Sequence, residues 1–165
     1  MQFEKKILTV FNHTTTSYKL YWWLAILHSL KASDKSTLSI ENLAIQMVCM
    51  VWYPINYFKI SLGKQDQLGK YIQEIKCNFP SLNDDIKPGK LESFLYQHKE
   101  QKELKHILEK LTRYVPFRFI RPWFPELVRM PDGKVNKMIL QGQNISRNMP
   151  YTINEEKNQI TINKE

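Results

Sequence analysis

Residues 100–114 read EQKELKHILEKLTRY, and their pattern decides the fold class. Leu104, Ile107, Leu108 and Leu111 recur at spacings of three and four, so they share one face of a helix, with lysines and glutamates on the others. Working backward, residues 90–98 repeat the amphipathic pattern. Leu68, Ile72 and Ile75 do so again over residues 66–76, where Asp66 is placed to cap the helix. Residues 40–53 are nearly all apolar, and Ser39 with Asn42 suits a helix start there. Pro54 is expected to kink or end that helix, because its ring removes a backbone donor and clashes one turn back. Residues 18–30, YKLYWWLAILHSL, are apolar on most faces and predict a central helix, entered from the cap-forming break NHTTTS at 12–17. Residues 3–11 form a short apolar-leaning opening that is either helix or strand, and residues 33–36 a loop.

Working forward, helical character is expected to stop at Val115-Pro116. Residues 117–124 then alternate aromatic or aliphatic side chains with Arg118 and Arg121, between Pro116 and Pro125, as a strand or turn would. PDG at 131–133 signals a turn. YTIN at 151–154 and QITI at 159–162 alternate with period two and predict a β-hairpin. The expected architecture is mainly α: a helical unit over residues 1–150, carrying a basic aromatic segment at 115–124, then the hairpin at 151–165.

The chain has 165 residues, a formal charge of +8 and an isoelectric point near 9.4. A basic excess concentrates polyanions at the surface, so nucleic acid is the first partner to consider. The surplus is densest over residues 115–150, with six Lys or Arg against two Asp or Glu, and includes Arg118, Arg121, Arg129 and Arg147. Cys49 and Cys77 are the only cysteines. Without a secretory pattern they imply a reducing cytoplasm, with Cys49 a buried apolar residue. The longest apolar stretch, residues 43–62, is broken by Gln46, Pro54, Asn56 and Lys59, so no membrane span is expected.

No reaction is legible. His13, His28, His98 and His106 lack metal-site spacing, and His28 fits a core histidine held by a hydrogen bond. There is no phosphate-binding glycine loop and no nucleophile elbow, and Glu41 and Asp66 stand as isolated carboxylates. Three segments stand out instead. In TTTSYKLYWW at 14–23, Tyr18 and Lys19 either belong to a capped helix with a buried aromatic face or line a phosphate groove at its N-terminus. In WYPINYFKISLGKQD at 52–66, Lys59 and Lys64 either contact phosphates beside an aromatic packing device or are simply solvated. In VPFRFIRPWF at 115–124, Arg118, Arg121 and Trp123 suit phosphate contact and base stacking. The competing possibility is that the aromatics complete the core while the arginines point outward.

Together these three segments resemble the N-terminal region of bacterial HNH-endonuclease-domain proteins, over roughly residues 1–124. The resemblance implies a role in restriction or defence and a C-terminal ββα-metal nuclease that hydrolyses phosphodiesters with one divalent ion. No Asp-His pair occurs in this chain, so no catalytic residue and no metal ligand carries over, and any divalent cofactor would belong to the nuclease domain. The expectation is a DNA-engaging or architectural front half that catalyses nothing itself and works beside a nuclease domain in cis. On this view the ending within a polar stretch points to a fragment. Tyr18, Lys19, Lys59, Lys64, Arg118, Arg121 and Trp123 are the candidate DNA contacts, with Trp52 a further aromatic. The alternative is a protein-interaction or oligomerisation domain, self-association included, since aromatics and arginine are also enriched at protein interfaces.

Overall fold

The structure is a computed structural model and describes residues 2–12, 16–127, 130–145 and 148–163. The chain begins with α1 (Gln2–Phe11) and α2 (Tyr18–Ala32), followed by β1 (Thr37–Ser39). The helices α3 (Ile40–Asn56), α4 (Gln67–Asn78), α5 (Pro88–His98) and α6 (Lys102–Thr112) come next. After them stand α7 (Val115–Ile120), two short 3₁₀ turns, α8 (Asp132–Gly142) and the hairpin β2 (Tyr151–Asn154) and β3 (Gln159–Ile162). The mainly helical architecture with a C-terminal hairpin is the one the periodicities predict. No described helix is long and apolar enough to cross a membrane.

Local chemistry explains the starts. Ser39 Oγ accepts the Asn42 N–H at 3.4 Å to open α3, and Asp66 caps α4 by accepting from Leu68 N at 2.9 Å. Pro88 occupies the first turn of α5, where its missing N–H costs nothing.

Four expectations need correction. Helical character does not stop at Val115-Pro116: α7 begins there, with Pro116 tolerated in the first turn and Val115, Pro116, Phe117, Phe119 and Ile120 all buried. The apparent alternation is a short helix apolar on most sides, from which Arg118 emerges, and Arg121 opens the 3₁₀ turn that follows it. PDG at 131–133 is not an isolated turn but the start of α8, whose first-turn N–H groups on Lys134 and Val135 bond to Pro131 O at 3.0 and 3.1 Å. Of the two outcomes expected at Pro54, the ending does not occur: α3 continues through it to Asn56, and only then does the chain turn, with Lys59 in the left-handed region at φ 55°. His28 is exposed rather than a core histidine, because α2 buries only its Trp22, Ala25 and Ile26 stripe and leaves Leu20, Leu24 and Leu27 on the surface.

The hairpin belongs to a three-stranded antiparallel sheet in the order β1-β3-β2, with Leu38 and Ile153 flanking Ile160. β1 pairs with the edge that the hairpin alone would leave open. Its three residues are too few to show a period, so the sequence hides it.

Two apolar clusters share α3. The first is aromatic-rich and gathers Trp22, Phe117, Phe119, Trp123, Phe124 and Tyr151 with Val135, Ile139, Ile153 and Ile160. The hairpin therefore packs into the same core as α2, α7 and α8. At its centre Trp22 Nε1 donates to Tyr151 Oη (2.9 Å), which donates to the Pro116 carbonyl (2.7 Å). Both buried polar handles are thus satisfied. The second cluster is aliphatic, built by α3 to α6 from Ile45, Val48, Leu68, Ile72, Leu95, Leu104, Ile107 and their neighbours, with Trp52 the one tryptophan.

Candidate anion-binding pocket

The start of α2 and the start of α4 are drawn together by one buried carboxylate. Asp66 Oδ2 accepts from Ser17 N and Ser17 Oγ, both at 2.6 Å, while Oδ1 accepts from Leu68 N. The anion expected at the α2 N-terminus is thus supplied by the chain itself. An external phosphate at this place would meet a group already holding the Ser17 N–H, so any further anion binding falls to side chains.

Those side chains converge beside this junction, where the last turn of α6 runs into α7. A cavity of about 610 Å³ opens there. Lys19, Lys110, Arg113 and Arg118 line it, with the rings of Tyr18, Tyr71 and Tyr114 and the polar groups of Thr16, Gln65 and Gln67. Leu111 and Val115 form its apolar floor. No carboxylate is among the described lining residues.

Ring faces support three of the four cations. Lys110 Nζ lies 5.9 Å from the Tyr71 centroid, and the Arg113 and Arg118 guanidinium carbons lie 5.2 and 5.0 Å from that of Tyr114. Arg118 also donates to Asp132 from Nε (3.2 Å) and Nη2 (2.5 Å). Lys19 donates to the Val10 carbonyl at 3.2 Å. Lys19, Lys110 and Arg113 have no ion-pair partner among the described residues. Burial, and then the positive charges of Arg118 and Arg121, lower the pKa of the Lys19 ammonium below the ordinary lysine value. Burial pushes the Tyr18 and Tyr71 hydroxyls up, with lesser contributions from Tyr71 and Asp66 on Tyr18 and from Glu74 on Tyr71. Both hydroxyls therefore stay protonated as donors.

The seven candidate contacts part company. Tyr18, Lys19 and Arg118 meet in the pocket although they come from opposite ends of the chain. Arg121 turns away: it donates to Asp132 Oδ1 at 3.1 Å and to the Leu127 and Met130 carbonyls, both at 2.7 Å, tying α7 to α8. Trp123 is buried and donates to the Asn148 carbonyl at 2.6 Å, so its ring offers no face to a base. Trp52 is equally buried and donates to Asn83 O at 3.1 Å. Lys59 pairs with Asp84, which Lys76 also contacts. Exposed Lys64 borders, with Lys59 and Lys70, a separate shallow cleft. Arg129 and Arg147 lie outside the described residues, as do His13, Thr14 and Thr15.

Sequence inspection missed Lys110, Arg113, Tyr71 and Tyr114. Lys110, Arg113 and Tyr114 stand at i, i+3 and i+4, off the leucine face of α6 and just before the basic aromatic segment. That stripe was the available signal. Tyr71 had none, since only the packing of α4 against α6 brings it alongside.

Catalytic constellations are sparse. Among the described residues no group of three or more His, Cys, Asp or Glu side chains gathers to hold a metal ion. Burial, then Glu92, pushes the Cys49 thiol up to about 12, which keeps it protonated and poorly nucleophilic. His106 shares a cleft with Glu41 and Glu109, but no hydrogen bond joins them, and Glu41 is held by Lys99 at 2.5 Å.

No protein-family model, curated protein or solved structure matches this chain.

Proposed function

We propose that this chain is a DNA-engaging domain that acts by binding, the front half of an HNH-type nuclease whose chemistry lies outside these residues. The observation that carries the binding claim is the convergence of Lys19, Lys110, Arg113 and Arg118 on one cavity with no carboxylate among its described lining residues. Cations held at this density around one cavity repel one another. A polyanion removes that cost and releases its own counterions on binding. The nuclease connection rests on the resemblance of the aromatic motifs alone. The test is fluorescence anisotropy of a labelled oligonucleotide against the whole chain at 50 and 200 mM salt. Three phosphate contacts predict a log–log slope of about −2.1 to −2.7, a loss of about 20- to 40-fold over that range. Lys110→Gln should remove about one contact from the slope. No binding at 50 mM would end this proposal.

A second function has its own observation. Tyr53, Tyr57, Phe58 and Ile60 are exposed together at the end of α3, with Tyr53 and Tyr57 stacked 4.6 Å apart and Phe58 edge-on to both. A contiguous exposed aromatic patch is the mark of a protein contact. If oligonucleotides fail to bind while the chain self-associates in gel filtration, and Phe58→Ser abolishes that association, the interaction domain takes precedence.

A further inference from the structure

We infer that the α2–α4–α6–α7 pocket takes the phosphorylated end of a nucleic-acid strand, a phosphomonoester, in preference to the internal phosphodiesters of a continuous backbone. The inference deepens the nucleic-acid proposal and rests on it.

Shape is the first reason. A duplex presents its phosphates on a convex rod, and a surface that tracks it spreads its cations along a ridge or stripe. Here the cations surround a concavity of about 610 Å³, within the range of small-ligand sites. A strand end can enter such a space, whereas the middle of a duplex cannot without flipping a nucleotide out.

Charge matching is the second reason. Arg118 shares Asp132 with Arg121, whereas Lys19, Lys110 and Arg113 are three cations without carboxylate partners among the described residues. An internal phosphodiester brings a single negative charge. A terminal phosphomonoester brings about −1.5 to −2 near neutral pH, and the adjoining diester adds one more. A strand end with its adjoining diester therefore brings about −2.5 to −3, closer to the three cations than the −2 of two adjoining internal diesters.

Donor chemistry is the third reason. A terminal phosphate exposes three oxygens that accept strong hydrogen bonds. The pocket walls supply amide donors from Gln65 and Gln67, hydroxyl donors from Thr16, Tyr18 and Tyr71, and the Arg113 guanidinium. Tyr71 and Tyr114 lie against Lys110 and Arg113, fixing the cations in place before the ligand arrives.

The experiment compares one single-stranded oligonucleotide, labelled at its 3′ end, carrying either a 5′-phosphate or a 5′-hydroxyl. A 5′-phosphorylated blunt duplex and inorganic pyrophosphate as competitor complete the set. The 5′-phosphate form should bind at least about tenfold more tightly, the equivalent of one to two charge-assisted contacts. Pyrophosphate should displace it. Arg113→Gln and Lys110→Gln, both exposed positions chosen to leave the fold intact, should each erase most of the difference, whereas Lys157→Gln on the hairpin turn should not. Equal affinity for the two 5′ ends overturns the inference and leaves DNA binding standing. A preference that survives both pocket variants overturns it as well, since the end would then be held elsewhere. Failure of every oligonucleotide to bind overturns the DNA proposal itself, and this inference with it.

Discussion

The aromatic and aliphatic cores are built in opposite ways. The aliphatic core is assembled by α3, α4, α5 and α6, which follow one another in sequence, and its leucines and isoleucines repeat at helical spacing. The aromatic core joins α2 to α7 and β2, so that Trp22 bonds to Tyr151 across 129 residues. A core made of neighbours in sequence declares itself through periodicity. One made of chain ends does not, because the partner that buries each aromatic lies far outside any local window. The candidate pocket sits where these two constructions meet, with α4 and α6 contributed by the first and α2 and α7 by the second.

The comparison breaks most visibly if the cores are separable. Trp22→Ala removes one of the two buried tryptophans of the aromatic core and takes away the donor to the Tyr151 hydroxyl, with an expected cost of about 3–5 kcal/mol. Leu43 and Met47 of α3 line one core while Ala44, Ile45 and Val48 line the other, so both should be lost in one transition. Midpoints from far-ultraviolet circular dichroism and tryptophan fluorescence in urea should then coincide. Two separate transitions would show instead that each core stands alone.

The seam itself is probed by Asp66→Ala. Losing this carboxylate uncaps α4 and leaves the Ser17 and Leu68 N–H groups without their acceptor, an expected loss of about 2 kcal/mol in a denaturation experiment. An exposed carboxylate control, Glu156→Ala, should change stability by less than about 0.5 kcal/mol. Equal effects from the two would mean that the Ser17–Asp66 junction does not hold the seam.

The smallest effect sharpens the electrostatics. Because the folded pKa of Lys19 lies below that of the unfolded chain, the folded state sheds its proton first as pH rises. The Lys19 contribution to stability should therefore increase with pH between the lowered value and the ordinary 10.5, opposite in sign to that of the raised Tyr18 and Tyr71 hydroxyls, while below that window the cost of burying the cation is fully present. Lys19→Met should flatten this rise in urea midpoints measured across alkaline pH. Binding of a phosphorylated oligonucleotide should weaken through the same window, as the cation is lost.

Legibility followed the same division for the site. Lys19 and Arg118 stood in conspicuous motifs, and both line the pocket. Trp123 and Arg121 stood in an equally conspicuous motif, yet α7 is a helix and not a strand. α7 ends at Ile120, and the 3₁₀ turn after it carries Trp123 into the core and Arg121 onto Asp132, which Arg118 also meets. Lys110 and Arg113 were inconspicuous because a lysine or arginine on the polar side of an amphipathic helix is ordinarily solvated, and the stripe they share with Tyr114 is their one local signal.

Composition and periodicity alone determined a mainly helical chain, the approximate positions of α2 to α6, the closing hairpin, the Asp66 cap and a basic surface. These follow from interactions within a turn or two of each residue. The tertiary structure decided that Asp66 binds two helix starts, that β1 closes the sheet and that four cations from α2, α6 and α7 face one cavity. Each of these depends on residues tens of positions apart being brought within a few ångströms. Only burial of the shared apolar faces accomplishes that, and no local pattern encodes it.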